Sequence, residues 1–109
     1  MRKSSALDRL HPDEFMRLAV KANFDAVSFA ILLKMNLRTL ERHFKQVFGC
    51  SPREGLERLR LAAARTMAED GFQTEEIART MGYKRASHLA TRVRQTYGVS
   101  LQKFKKRRR

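Results

Sequence analysis

Residues Thr74–Gly98 read TEEIARTMGYKRASHLATRVRQTYG, and their spacing decides the fold. Thr74 is in place to cap a short helix, with Glu75 and Glu76 in its first turn, where carboxylates favour the positive end of the helix dipole. Ile77, Ala78 and Met81 fall one turn apart and give that helix a single apolar side. Gly82 follows, where a chain leaving a helix needs a positive φ. After the turn Leu89, Val93 and Tyr97 recur every four residues and face inward. Lys84, Arg85, Ser87, His88, Thr91, Arg92 and Arg94 are left on the sides and the outer face. A short helix, a tight turn and a basic second helix describe a helix-turn-helix, whose second helix suits the DNA major groove.

The pattern occurs twice. Ala30 and Leu33 stand 48 residues before Ala78 and Met81, and Leu40, Phe44 and Lys45 stand 49 residues before Leu89, Val93 and Arg94. Phe48-Gly49-Cys50-Ser51 likewise precedes Tyr97-Gly98-Val99-Ser100. The step from 48 to 49 predicts one extra turn residue in the second copy. Two copies make a tandem of helix-turn-helix units rather than a solenoid.

Working outward, Pro12 suits a first helical turn, and Phe15, Leu18, Ala19 and Ala22 continue it as an apolar stripe to about Ala22 or Asn23. Asp25 can cap a second helix carrying Phe29, Ala30, Leu32 and Leu33. Asn36 caps a third, with a buried stripe of Leu37, Leu40, Phe44, Val47 and Phe48, stopped by Gly49. Ser51-Pro52-Arg53-Glu54 is a capping-box pattern that opens the longest helix. That helix carries Leu56, Leu59, Ala63 and Met67 on one side, with Leu61, Ala64 and Ala68 close by, and ends at Gly71. A last short helix starts near Leu101, and Lys105–Arg109 form a basic tail. The expected class is all-α with about seven helices. The expected organisation is a polar arm over 1–11 and one domain over 12–104. Within that domain the two units cover about 25–49 and 74–98, joined by a linker helix over about 52–70.

The formal charge is +13 over 109 residues, and it is uneven: residues 1–50 carry nine Lys+Arg against five Asp+Glu, residues 51–109 fifteen against six. Such an excess calls for a polyanionic partner, nucleic acid before an anionic membrane. No apolar run approaches the ~18–20 residues of a membrane span. The single cysteine, Cys50, permits no internal disulfide and fits a reducing compartment; it matches Val99 in the repeat and reads as a small core residue. His11, His43 and His88 lack metal-ligand spacing, and His43 reads as a packing residue. No Gly-rich phosphate loop or nucleophile–base set points to an enzyme, so no cofactor, metal or catalytic residue is expected. RNA binding would want an aromatic platform that the sequence lacks.

Several stretches together resemble the AraC/XylS-type DNA-binding domain over roughly Phe15 to Arg107. They are Asn36–Lys45 (NLRTLERHFK), Phe48–Pro52 (FGCSP), Leu59-Arg60-Leu61 with Ala64-Arg65, Ile77-Ala78 with Gly82-Tyr83, Ser87, Leu89 and Gly98-Val99. Lys34 stands where the family usually has Gly, which costs about 1 kcal/mol if that position is left-handed. Val93 replaces a usual Phe, implying a smaller local core, and Leu101 a usual Pro.

The resemblance implies a bacterial, cytoplasmic, nucleoid-associated transcription regulator that binds double-stranded DNA. It implies base-reading positions Arg38, Glu41 and Arg42 in the first unit and Ala86, Ser87 and Thr91 in the second. Lys45, Lys84, Arg85, His88, Arg92 and Arg94 are the candidate phosphate contacts. Most family members add an effector or dimerisation domain; with little chain ahead of the first unit, a stand-alone member is expected, without a small-molecule effector or a membrane contact. Two recognition helices let a monomer read an asymmetric site, and RNA polymerase is a compatible partner. The rival reading is a nucleoid-type architectural protein that binds DNA without sequence preference.

Overall fold

The computed structural model describes residues 10–105, so most of the arm over 1–11 and most of the basic tail lie outside the described residues. Helices α1 (Pro12–Lys21), α2 (Ala26–Leu32), α3 (Leu37–Phe48), α4 (Pro52–Glu69), α5 (Thr74–Thr80) and α6 (Ala86–Tyr97) precede a 3₁₀ turn, Leu101–Phe104. No strand occurs among the described residues. The chain divides into two compact units, residues 1–59 and 60–109, with the boundary inside α4.

The first unit packs around phenylalanines. Phe15 lies 5.2 Å from Phe29 and 6.2 Å from Phe44, and Phe48 lies 5.0 Å from Phe44, all tilted or edge-on. Such pairs add about 0.5–1.5 kcal/mol each beyond their burial. Phe29, Phe44, Leu40 and Leu56 are fully buried, and Cys50 is buried as expected of a small core residue. Gly55 lets α4 approach, because a Cβ there would lie 2.7 Å from Cε2 of Phe44. The second unit has an aliphatic core of Leu61, Ala64, Ala68, Ile77, Met81, Leu89, Val93 and Leu101.

Helix starts and stops follow local chemistry. Asp25 accepts from the Ser28 amide at 2.9 Å, Asn36 from the Thr39 amide at 2.8 Å, and Ser51 from the Glu54 amide at 3.1 Å. The Glu54 carboxylate itself pairs with Arg58. At the end of α5 the Tyr83 and Gly82 amides donate to Ala78 and Arg79, and Gly82 has φ +81°. This is a Schellman stop. The end of α2 makes the same stop with Lys34, whose φ is +57°, so the left-handed strain expected there is present. Four residues separate α2 from α3 and five separate α5 from α6, which is the extra turn residue inferred from the repeat.

Four expectations are corrected. Thr74 is the first helical residue rather than the cap; Gln73 precedes it without a side-chain cap bond, and the Thr74 hydroxyl accepts from Lys105 Nζ at 3.2 Å. Leu37 and Phe48 are 38% and 46% exposed rather than buried, Phe48 sitting on the rim of the phenylalanine cluster. The buried line of α4 is Leu56, Leu61, Ala64 and Ala68, while Leu59, Ala63 and Met67 are half-buried. Tyr97 is also half-buried, packed edge-on against Phe104 at 5.4 Å.

Candidate nucleic-acid interface

Helix α3 is anchored by Leu40 and Phe44 and held at its start by Asn36. That anchoring leaves Arg38, Glu41, Arg42 and Lys45 exposed. Their spacings of three, four and seven residues stack them on one side of the helix. A row of three cations and one carboxylate, projected from a helix locked by an aromatic core, is suited to a polyanion. Glu41 also borders a cleft of about 370 Å3 with Asp25, Leu37 and Arg53. Hydrogen bonds from the Ser28 amide and hydroxyl lower the Asp25 pKa, and the nearby Arg53 cation adds to that.

Helix α6 is anchored by Leu89 and Val93, both fully buried. Ser87, His88, Thr91 and Arg94 are exposed, as are Lys84 and Arg85 in the turn, while Ala86 and Arg92 are half-buried. Two of these groups are already engaged. The Thr91 hydroxyl donates to the Ser87 carbonyl at 3.0 Å, so toward a base edge it can only accept or offer its methyl. Arg92 donates to Gln95 at 3.0 Å. His88 packs edge-on against Tyr83, with ring centroids 5.3 Å apart. Thr91 and Arg94 share a shallow cleft of about 420 Å3 with Gln95 and Ser100.

The structure therefore brings the first set together on one side of α3 and the second set around the start and outer side of α6. Two cations that the repeat did not single out stand beside them. Arg53 lies at the start of α4, and Arg79 lines a cleft of about 480 Å3 with Lys84 and Ala86. Their signal in sequence was only a basic residue near a helix end, which is too common to single out. The start of α6 has no side-chain cap bond, and the His88 amide donates instead to the Arg85 carbonyl at 3.2 Å. No cluster of three metal-ligating side chains and no helix long and apolar enough to cross a membrane occur among the described residues.

Comparison with known proteins points the same way. A family described as a helix-turn-helix domain matches residues 29–107. RhaS, an HTH-type transcriptional activator of Escherichia coli O1:K1 / APEC, is 35% identical over 83 residues, and RhaS of strain K12 / DH10B matches equally. The match covers 75% of this chain and 29% of the relative, so the chain spans less than a third of the length of these curated relatives. An AraC-type DNA-binding-domain regulator from Chromobacterium violaceum superposes with a TM-score of 0.70 at 22% identity. That match covers 84% of this chain and 86% of the other, and shows that the fold is shared.

Proposed function

The chain belongs to the AraC/XylS-type helix-turn-helix family of DNA-binding transcription regulators, and on that premise we propose that it reads DNA sequence-specifically, with α3 and α6 in successive major grooves. The observation that carries this is the pair of recognition helices of equal length, each anchored by two fully buried residues and each presenting cations outward.

The two helices read differently. Arg38 and Arg42 each pair bidentately with guanine O6 and N7, worth about 1–3 kcal/mol of discrimination, and Glu41 accepts from a cytosine amino group. Ala86 offers a methyl to thymine, while Ser87 and the internally bonded Thr91 are undemanding. The half-site under α3 is strict and the one under α6 loose. Lys45, Lys84, Arg85, His88, Arg92 and Arg94 hold phosphates, with Arg53 and Arg79 as additions; six to eight such contacts give a slope of log K against log salt of roughly −5 to −7. One chain suffices for a bipartite site, and the DNA-bound chain can present itself to RNA polymerase.

Selection of sites from a random duplex pool at about 150 mM salt tests this. The expected result is a bipartite site with centres one helical turn apart, bound about 10³-fold or more tighter than scrambled DNA. Tight, salt-sensitive binding to every duplex without enrichment would establish the architectural reading instead.

A further inference from the structure

We propose that Arg60 is a positioning residue for the second recognition helix, acting through Tyr83 and His88; this rests on the reading of α6 as a base-reading helix. Arg60 lies on α4. Its Nε–H donates to the Met81 carbonyl at 2.7 Å, and its guanidinium carbon sits 3.7 Å from the centre of the Tyr83 ring. Met81 is the C-cap of α5, and its carbonyl is among those a helix leaves without an internal partner. A cation placed there satisfies the carbonyl and complements the negative end of the helix. Tyr83 is 5% exposed, and its amide closes the Schellman stop on Ala78. One side chain thus holds both the backbone and the ring of the turn.

The ring passes the constraint on. Tyr83 meets His88 edge-on at 87°, and His88 stands in the first turn of α6. The stack therefore runs from α4 through the turn to the beginning of the reading helix. The second turn has reason to need this support. It is one residue longer than the first, and α6 starts without the side-chain cap that Asn36 gives α3. In the first unit Met35 occupies the place of Tyr83 after the left-handed residue, and it offers no aromatic face. Only arginine does both tasks at once, because the face of its planar guanidinium covers the ring while its Nε–H points outward in the guanidinium plane. Lysine can reach the carbonyl but cannot present a plane.

The test uses the full chain, the duplex that the wild type selects from a random pool, and base substitutions in each half-site. Arg60→Met and Tyr83→Leu are each expected to flatten the discrimination of the second half-site, a loss of at most about tenfold, the scale of one base contact, and to leave the first half-site unchanged. Arg60→Lys is expected to recover thermal stability without recovering that discrimination. Leu101→Ala, a core truncation outside the stack and outside both recognition helices, is expected to lower the melting temperature with discrimination intact. In the DNA-free protein the His88 ring-proton resonances are expected to move in Arg60→Met, although Tyr83 is present. Unchanged His88 resonances in Arg60→Met, or equal losses at both half-sites, would overturn the proposal. Should the wild type select no bipartite site, the base-reading function fails by itself, and the His88 resonances still decide whether Arg60 positions the turn.

Discussion

The two helix-turn-helix units follow one plan with opposite local economies. In the first, helix starts are fastened by side chains, with His11, Asp25, Asn36 and Ser51 each accepting from a backbone amide. Its first two stops, in contrast, are strained, since Asn23, Phe24 and Lys34 hold positive φ without being glycine, and only α3 ends on a glycine, Gly49. The second unit reverses this. Gln73, Arg85 and Ser100 cap nothing with their side chains, while Gly71 and Gly82 take the left-handed positions freely. A cap contributes about 1 kcal/mol and a left-handed non-glycine costs about as much, so the two devices are of equal size. What separates the units is the core. Four phenylalanine rings in mutual contact fasten the first, whereas cation–ring contacts add to the aliphatic core of the second: Arg60 on Tyr83, and Arg65 over Phe104 at 4.7 Å. The lesson is that a repeat conserves positions of burial rather than the interactions that enforce them.

The largest effects should break this contrast at the core. Phe44→Ala is expected to cost about 3–5 kcal/mol in denaturant unfolding, because three neighbouring rings lose a partner. Gly55→Ala should cost about 1–3 kcal/mol although helix propensity alone favours alanine, since the new methyl meets the Phe44 ring. A gain in stability there would show that α4 can shift away from the ring.

Next in size is the contrast between the reading surfaces. Arg38→Ala and Arg42→Ala should each remove about 1–3 kcal/mol of base discrimination. Ser87→Ala should remove little, and competition binding to single-base variants measures the difference. Equal losses from both helices would contradict a strict first half-site and a loose second one.

Exchanging turn chemistry sharpens the comparison further. Lys34→Gly should stabilise by up to about 1 kcal/mol and Gly82→Ala should destabilise by a similar amount, both read by thermal unfolding.

The smallest effect concerns a cap. Hydrogen bonds from the Ser28 amide and hydroxyl depress the Asp25 pKa, so its cap stabilises fully above the ordinary carboxylate range and is lost as pH falls through the lowered value. The stability gap between wild type and Asp25→Ala, about 1 kcal/mol at neutral pH, should therefore narrow below about pH 4.

Much of the fold was legible in the residues because its signals act within one turn of helix. Asp25, Asn36, Ser51, Gly49 and Gly82 announce starts and stops through bonds to neighbours a few residues away. The 48-to-49 step in the repeat announced the longer second turn by simple counting. The candidate site was legible as a set of exposed polar positions on two helices, since burial of Leu40, Phe44, Leu89 and Val93 dictates which sides remain outside. The internal bond of Thr91 was a matter of rotamer, and spacing carries no information on that.

The sequence by itself determined the all-helical class, the tandem, the helix ends set by caps and glycines, and the exposed basic sides of α3 and α6. Each follows from periodicity, charge or a contact between near neighbours. Only the tertiary structure decided that Thr74 serves Lys105 rather than the α5 amides, that α4 buries Leu61, Ala64 and Ala68 in preference to Leu59 and Ala63, and that Arg60 grips a turn 21 residues away. The physical reason is that these choices are made by packing partners remote along the chain. A helix with apolar residues on more than one side does not declare which side will be covered until its neighbours arrive.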